Sequence, residues 1–343
     1  MRAAVFEGAG KPLAIKDVPM PEPGPGELLI KVERCGVCGS DLHMTDSASC
    51  FNPPSGAIIG HEFCGEIVQL GAGTEKAWKE GQRIAALPYL GCGQCVFCLA
   101  GEPTRCATVR AKPSGDSSGG FAEYSVVGAR ESVLLPDHLS WDHGAFVEPI
   151  AVGVHAIAGA DFKPGARILV VGAGPVGLAV AACAQAAGAD TVCVTARSDR
   201  RGDLARTMGA TEFLISDDKL ADNFAKVAGG PPDVVFECVG MPGMMALCSD
   251  IAAPRSQVIM LGACMQEERF QPIVATMKEL TFRFVVCYSK RDFEVATTMI
   301  ANGRIDPLPM LSDTVDFNAF PDAFEALRQP HDQCKILLTP SKL

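Results

Sequence analysis

Aromatic side chains and clustered positive charge are both scarce in this chain. Of its 343 residues 6% are aromatic, and 30 lysines and arginines stand against 40 aspartates and glutamates, which gives a net charge of −10. A surface that stacks bases needs aromatic rings, and one that binds phosphate backbones needs clustered cations. The composition therefore argues against nucleic acid and anionic membranes as the main partners.

The sequence also lacks an apolar leader. The first residues, MRAAVFEGAGKPLAIKDVP, contain no long apolar core, so we expect no signal peptide and a cytoplasmic protein. One uncharged run, ILVVGAGPVGLAVAACAQAA at 168–187, is about long enough to span a bilayer, but its glycines and proline favour a buried strand–turn–helix. The final residues Ser341-Lys342-Leu343 match a peroxisomal address, which makes that compartment the alternative in a eukaryote.

Cysteine, in contrast, is abundant. A cytosolic chain keeps its thiols reduced, so 15 cysteines point to metal binding and buried thiols rather than to disulfides. Residues 91–106, GCGQCVFCLAGEPTRC, have the spacing C-x2-C-x2-C-x7-C, and the four candidates are Cys92, Cys95, Cys98 and Cys106. In a bacterial ferredoxin run the fourth cysteine comes earlier and precedes a proline. Four thiolates fill every position of tetrahedral zinc, so we expect a closed structural zinc that shapes a lobe.

The pattern of apolar runs changes along the chain. Residues 1–150 contain short strand-like runs separated by turns such as PMPEPGPGE, which indicates a β-rich domain. From about residue 165, apolar runs alternate with helix-like segments, as in the βαβ units of a parallel sheet. The sequence therefore predicts an α/β fold with two domains.

A glycine-rich loop opens the first βαβ unit. The sequence GAGPVG fits G-x-G-x-x-G and stands between a strand candidate, ARILVV, and an alanine-rich helix. Gly172 allows the tight turn, Gly174 lets the backbone approach a pyrophosphate, and Gly177 lets the helix pack closely on the strand. The helix N-terminus then offers free N–H groups to the anion. The candidate dinucleotide-binding residues are Gly172, Gly174, Pro175, Val176 and Gly177.

The residues after the next strand select between NAD and NADP. An acidic residue about 20 positions beyond the glycine loop would bind the ribose hydroxyls of NAD. The residues that follow the strand TVCVT are Ala196, Arg197, Ser198 and, after Asp199 and Arg200, Arg201. A small residue beside guanidinium groups suits a 2′-phosphate, because repulsion is removed and charge-assisted hydrogen bonds are added. We expect NADP in preference to NAD, and the nearby Asp199 and Asp203 leave NAD open.

A second metal site requires the fold to bring distant residues together. Cys38 lies in CGVCGSDLH, His61 and Glu62 lie in GHE, and Glu148 lies in FVEP. A mixed set of sulfur, nitrogen and oxygen ligands with one open position is typical of catalytic zinc. Taken singly, each residue is better explained by a structural role: Cys38 as a buried thiol, His61 as a hydrogen-bonded histidine and Glu148 as a helix-start carboxylate.

Together the motifs resemble the zinc-dependent medium-chain alcohol dehydrogenase superfamily, in particular its sorbitol, threonine and butanediol dehydrogenase branch. CGVCGSDLH, GHEFCGEI, GAGTEKAWKEGQRI, the four-cysteine lobe, VEPIAVGVHA and VVGAGPVGL follow the family's order and approximate spacing over nearly the whole chain. The resemblance implies a GroES-like catalytic domain at 1–150, which includes the zinc lobe at 91–106. It also implies a Rossmann NAD(P)-binding domain, a doubly wound parallel sheet, at 151–287, and a return to the catalytic domain at 288–343.

The resemblance also implies roles for single residues. Cys38, His61 and Glu148 match the catalytic zinc ligands, and Glu62 matches the neighbouring carboxylate that can bind the metal or act behind it. A separate set matches the groups that handle the proton: Ser40 is the hydroxyl that takes it from the alcohol, His43 is the outer member of the relay, and Asp41 orients His61.

The leading interpretation is a zinc-dependent, NADP-preferring dehydrogenase of secondary alcohols and ketones, with two zinc ions per chain and a homodimeric or homotetrameric assembly. An NAD-dependent polyol or amino-alcohol dehydrogenase of the same fold is the alternative enzyme. An iron–sulfur electron-transfer protein would carry bound iron, and a zinc-finger interaction module fits the acidic charge poorly. The substrate pocket is expected near Cys50, Phe51 and Tyr89.

Overall fold

The computed structural model describes residues 1–112, 119–329 and 332–340, which fall into two compact units. Unit 1 comprises Met1–Glu148, Tyr288–Asn302 and Leu311–Leu343, and unit 2 comprises Pro149–Cys287 and Gly303–Met310. The chain thus returns to unit 1 at Tyr288. The sequence predicts that it stays there from 288 to 343, whereas the structure assigns Gly303–Met310 to unit 2. The Ser341-Lys342-Leu343 signal lies outside the described residues.

Unit 1 is rich in β-structure, and its elements are numbered here along the whole chain. Its strands are β1 (Arg2–Val5), β2 (Ala14–Asp17), β3 (Glu27–Gly36), β4 (Glu62–Leu70), β5 (Arg83–Ala86), β6 (Tyr89–Leu90), β7 (Arg110–Ala111), β8 (Tyr124–Gly128), β9 (Ser132–Leu134), β16 (Leu311–Val315) and β17 (Lys335–Leu338). Its helices are α1 (Gly39–Thr45), α2 (Val96–Leu99), α3 (Trp141–Ala145), α10 (Lys290–Ala301) and α11 (Phe320–Ala326), with a 3-10 turn at Pro103–Arg105.

The main sheet of unit 1 has the strand order β16-β17-β3-β4-β5-β9, and β8 also pairs with β3. Only the β16–β17 pair is parallel among these described strands. Alternating apolar residues bury one face of the sheet on a core that includes the rings of Phe121 and Phe320, which are tilted by 59° with their centroids 4.8 Å apart. The register pairs Gly36 at the end of β3 with Glu62 at the start of β4 and with Leu337 of β17, so the three strand ends converge.

Unit 2 alternates strands and helices. Its strands are β10 (Arg167–Val171), β11 (Thr191–Ala196), β12 (Glu212–Ile215), β13 (Val234–Glu237), β14 (Gln257–Met260) and β15 (Thr281–Phe284). Its helices are α4 (Val147–Gly159), which begins within unit 1, α5 (Pro175–Ala186), α6 (Gly202–Thr207), α7 (Leu220–Ala228), α8 (Met244–Ile251) and α9 (Pro272–Met277), with a 3-10 turn at Leu308–Met310.

The six strands of unit 2 form one parallel sheet in the order β12-β11-β10-β13-β14-β15. Counted from the first strand this is 3-2-1-4-5-6, the order of a Rossmann fold, so the predicted doubly wound sheet is confirmed. The uncharged run at 168–187 becomes β10, the glycine loop and α5. In the described part of the chain no helix combines the length and the apolar character needed to cross a bilayer.

Candidate active site

Cys38, His61 and Glu62 come together at the converging strand ends of unit 1. Among the described residues their ligand atoms form one of two sets in which all atoms lie within 4.8 Å of one another. Cys38 is the N-cap residue of α1, just beyond β3, and His61 and Glu62 stand at the start of the neighbouring β4. Both His61 and Glu62 are buried. A thiolate, an imidazole and a carboxylate in this arrangement fit one zinc ion with a position to spare.

Asp41 fixes the geometry of this site from the first turn of α1. Its fully buried carboxylate accepts the N–H of Cys38 at 3.0 Å. The other oxygen, Oδ1, lies 3.2 Å from Nδ1 of His61, out of line for a hydrogen bond. Because Nδ1 faces Asp41, Nε2 is the nitrogen available to a metal. Burial lowers the pKa of His61, but Asp41 and the Cys38 sulfur outweigh burial and raise that pKa well above its usual range.

The Glu62 carboxylate is bound by a buried lysine that sequence analysis missed. Nζ of Lys335, the first residue of β17, donates to both oxygens of Glu62 at 2.6 Å and to the carbonyl of Val37 at 2.9 Å. Burial lowers the pKa of Lys335, and the neighbouring acidic groups, Glu62 first, reverse this and raise it. The one feature of the sequence that could have indicated Lys335 is its place as the only polar residue of the strand KILL. A metal at this site would therefore share Glu62 with an ammonium group.

Glu148 does not join the set formed by Cys38, His61 and Glu62. It lies in the first turn of α4, is buried, and accepts a 2.6 Å hydrogen bond from the hydroxyl of Tyr288. Burial raises the pKa of Glu148 to about 7, with His61 acting in the opposite direction and Glu62 in the same one. The charges of His61 and Glu62 thus act on Glu148, but its carboxylate lies outside the set of ligand atoms within 4.8 Å of one another.

The proton-relay candidates lie on α1 with Asp41. Ser40 is half-buried and His43 is exposed. A spacing of three residues places them on one face of the helix, with His43 on the solvent side. The last turn of α1 is tied down by Arg328, which donates to the carbonyl of Leu42 and to the hydroxyl of Thr45, both at 2.7 Å.

The four lobe cysteines form the second set of close ligand atoms. Backbone N–H groups point at the sulfurs: Cys92 N–H donates to Cys106 Sγ at 3.4 Å, and Cys95 N–H donates to Cys92 Sγ at 3.4 Å. The N–H of Cys92 first, and then the hydroxyl and N–H of Thr108, lower the pKa of Cys106 to about 6, whereas burial raises the pKa of Cys98 to about 12. Four thiolates supported in this way fit a closed tetrahedral zinc that cannot admit substrate.

The glycine loop of unit 2 has the geometry that a pyrophosphate requires. Gly172 has φ +112°, in the region that favours glycine, and the loop follows β10 where the strand order reverses. A Cβ on Gly177 would overlap the carbonyl oxygen of Gly172, so only glycine permits this approach of α5. Gly174 is the N-cap of α5, and a Cβ there would meet no atom within 4 Å. The N-terminus of α5, with Pro175 and Val176, is open to an anion.

The end of β11 carries no carboxylate. Ala196 is its last residue and is half-buried, and Arg197 and Ser198 follow in an exposed turn. Arg201 reaches back to the glycine loop and donates to the carbonyl of Ala173 at 3.1 Å. Asp203 lies within α6 and pairs with Arg206 at 3.1 Å.

The three residues expected near the substrate pocket differ in exposure and in their distance from the site. Cys50 is exposed, and Phe51 keeps 61% of its surface exposed. Tyr89 lies closer to the chemistry, since its ring is 6.5 Å from that of Tyr288, the donor to Glu148.

Comparison with known proteins identifies both halves of the chain. Residues 24–137 match the alcohol dehydrogenase GroES-like domain family, and residues 175–302 match the zinc-binding dehydrogenase family. The sorbitol dehydrogenase of Bacillus subtilis (strain 168) is 31% identical over 355 aligned residues, which cover 100% of this chain and 98% of that protein. The GroES-like part of the predicted fold is thereby confirmed.

Solved structures extend the similarity to the three-dimensional fold. A structure from Sinorhizobium meliloti 1021 bound to NADP is 30% identical with a TM-score of 0.88, and covers 99% of both chains. A dehydrogenase structure from Escherichia coli CFT073 complexed with NADH is 27% identical with a TM-score of 0.89, also over 99% of both chains. Proteins that bind either cofactor are thus similar to this chain to about the same degree.

Proposed function

The chain belongs to the zinc-dependent medium-chain alcohol dehydrogenase superfamily, and from this premise we propose that it transfers a hydride between NADP(H) and a secondary alcohol or ketone. The observation that carries the proposal is the convergence of Cys38, His61 and Glu62, with Asp41 behind the imidazole. This ligand set leaves one tetrahedral position for an oxygen from outside. An NAD-dependent polyol or amino-alcohol dehydrogenase is the second candidate, supported by the similarity to sorbitol dehydrogenase.

In the proposed mechanism Cys38 and His61 would hold the catalytic zinc together with Glu62 or Glu148. When bound, zinc supplies Lewis acidity that lowers the pKa of an alcohol oxygen. Asp41, whose Oδ1 lies 3.2 Å from Nδ1 of His61, favours the proton on Nδ1 and so leaves Nε2 for the metal. Both candidate carboxylates are already held by donors, Glu62 by an ammonium and Glu148 by a phenol, so the site is preorganised.

Proton movement is assigned to α1. Oγ of Ser40, two residues beyond Cys38, would accept the proton that the alcohol loses and pass its own hydroxyl proton, by way of the cofactor ribose, toward His43. His43, one helical turn further toward solvent, releases it to water. The lobe zinc has no part in this chemistry because its four sulfur ligands leave no free position. We therefore propose two zinc ions per chain with separate duties, one catalytic and one structural.

An alcohol panel run with NADP and NAD on a sample of known metal content tests the proposal. The expected protein is colourless, carries about two zinc ions per chain, and oxidises secondary alcohols with NADP. Bound iron in the lobe, or no oxidation of any alcohol with either cofactor, contradicts it.

The proposed NADP preference rests on the end of β11. A carboxylate introduced by Ala196→Asp would stand where the 2′-phosphate is expected and would repel it, while accepting hydroxyls from the ribose of NAD. We expect the ratio of kcat/KM for NADP to that for NAD to fall by about 10–100-fold, the worth of one or two charge-assisted hydrogen bonds. Steady-state kinetics with both cofactors measures this ratio.

The matched control is Asp199→Asn, in the exposed turn three residues later. If Ala196 marks the ribose position, this change leaves the ratio unaltered. If Asp199 is instead the residue that binds the ribose, its loss weakens NAD selectively and Ala196→Asp has little effect, which would overturn the assignment.

We also propose that the protein is a homodimer joined through β15. Within the described residues this strand pairs only with β14, so its other edge presents free backbone N–H and C=O groups. Large apolar side chains nearby are exposed, among them Phe284 at 69%, Val286 at 76% and Met277 at 78%. Exposed apolar area beside an open edge is typical of an interface, and a second copy related by a two-fold axis can pair with it strand to strand.

Light scattering after size-exclusion chromatography tests this interface. The wild-type chain is expected at twice the monomer mass, and Phe284→Arg is expected to shift it to the monomer. Val96→Arg is the control, because Val96 is equally exposed, at 72%, but lies on the lobe helix α2. A dimer that survives Phe284→Arg and is lost in Val96→Arg would place the interface at the lobe instead.

A further inference from the structure

Tyr288 is the residue at which the chain re-enters unit 1, and its backbone is constrained on both sides. The preceding residue, Cys287, has φ +58°, a left-handed conformation that turns the chain sharply. The following residue, Ser289, caps α10 and exchanges hydrogen bonds with Asp292, whose carboxylate accepts the N–H of Ser289 at 2.7 Å. The position of Tyr288 is therefore set by a turn and a helix start, independently of its side chain.

The ring of Tyr288 is also confined. Only 3% of the residue is exposed. The ring lies 5.2 Å from the ring of Phe293 in α10 and 6.5 Å from that of Tyr89, centroid to centroid. Aromatic neighbours at these distances restrict rotation of the ring and so fix the direction of the hydroxyl. That hydroxyl donates to Oε1 of Glu148 at 2.6 Å.

The two acidic side chains of the site, Glu62 and Glu148, are bound by different kinds of donor. Both donors lie in the segments with which the chain returns to unit 1. Lys335, in β17, takes up the charge of Glu62 by contacting both oxygens. Tyr288 is a neutral donor that engages one oxygen of Glu148 and brings no positive charge to it. A cation held by Cys38 and His61 would therefore find the charge of Glu62 already shared with an ammonium group, and that of Glu148 hydrogen-bonded only to a neutral phenol.

We propose that Tyr288 is a positioning residue that orients the Glu148 carboxylate toward the metal bound by Cys38 and His61. This inference rests on the proposed catalytic zinc. The phenol holds the Glu148 carboxylate in one orientation through Oε1, and Oε2 is the oxygen that we expect to engage the metal or a water on the metal. Hydrogen-bond donors behind a metal-site carboxylate raise metal affinity by fixing its orientation.

Tyr288→Phe tests the inference because it keeps the ring and removes only the donor. Zinc affinity of the Cys38 site is measured by chelator competition on the full chain, with the four-cysteine zinc as an internal reference. We expect the affinity of the Cys38 site to fall by about 10–100-fold and the lobe zinc to be unchanged. The chain has three tyrosines, and Tyr124→Phe, in β8, is the matched control that leaves both affinities unchanged.

A second background shows whether the effect passes through Glu148. In Glu148→Gln the further change Tyr288→Phe is expected to alter zinc affinity by less than about twofold, because the two residues act as one unit. If Tyr288→Phe binds zinc at the Cys38 site as tightly as the wild type, the role of Tyr288 is wrong. The same holds if Tyr288→Phe lowers zinc affinity as much in the Glu148→Gln background as in the wild type. Either result leaves the proposed catalytic zinc untouched. A wild-type chain that binds only the lobe zinc removes the proposed catalytic site and the inference with it.

Discussion

Cys38→Ser is expected to lower turnover by about 10³-fold or more and to reduce the zinc content from about two ions per chain to about one. Serine replaces the sulfur with a poorly ionised hydroxyl, so the metal loses its thiolate and the alcohol loses the Lewis acid that favours its deprotonation. A loss of about 4 kcal/mol of transition-state stabilisation corresponds to this factor. Steady-state kinetics and metal analysis on the same preparation measure both quantities.

Two cysteine variants serve as controls for this result. Cys106→Ser removes a ligand of the lobe set, so this variant should lose the lobe zinc and keep the zinc of the Cys38 site. Cys35→Ser makes the same substitution three residues before Cys38, at a buried thiol in β3, and should keep both ions. If Cys38→Ser retains full turnover, or if Cys35→Ser loses zinc in its place, the ligand assignment is wrong.

Lys335→Met is expected to lower the free energy of unfolding by about 3–5 kcal/mol, the cost of leaving one partner of a buried ion pair uncompensated. Lys335 and Glu62 are 1% and 2% exposed, so water cannot replace the lost ammonium. Zinc would partly restore the missing positive charge, and the loss should therefore be larger in chelator-treated protein than in zinc-loaded protein. Urea denaturation of both forms measures the difference.

The paired change Glu62→Gln with Lys335→Met should recover much of the stability, since it removes the stranded charge. Lys76→Met, at an exposed lysine, should stay within about 0.5 kcal/mol of wild type. A Lys335→Met variant as stable as Lys76→Met would mean that the Lys335–Glu62 contact contributes nothing to the fold.

The parts of this protein that local sequence predicted well are those whose partners are local. The glycine loop lies between β10 and α5, where a strand candidate and an alanine-rich run predicted it. The four lobe cysteines fall within one stretch, and their spacing alone indicated a tetrahedral site. Ala196 was placed at a strand end by the apolar pattern, and β11 ends there. In each case the residues that act together are close in the sequence, so periodicity and spacing are enough to predict their arrangement.

The groups that complete the site could not be found in this way. Lys335 is 273 residues from Glu62, and Tyr288 is 140 residues from Glu148. Neither belongs to a motif, and a lysine at the start of a strand or a tyrosine before a helix is ordinary in isolation. Only the return of the chain to unit 1 brings these donors to the carboxylates, and that return is a property of the fold.

The choice of carboxylate shows the same limit. The family resemblance implies Glu148 as the third ligand, whereas the structure groups Glu62 with Cys38 and His61. Glu62 can lie there because its β3 partner is Gly36, and a Cβ on that residue would overlap the Glu62 carboxylate. A strand pairing that opposes a glycine to a glutamate leaves no periodic signal in the sequence.

Diffraction data collected on both sides of the zinc absorption edge, from zinc-supplemented crystals of the full chain, test the central claim most directly. We predict two anomalous peaks per chain, one among the four sulfurs of the lobe and one within bonding distance of both Cys38 Sγ and His61 Nε2. A lobe peak alone, with no metal within reach of both Cys38 and His61, would contradict the account of the active site.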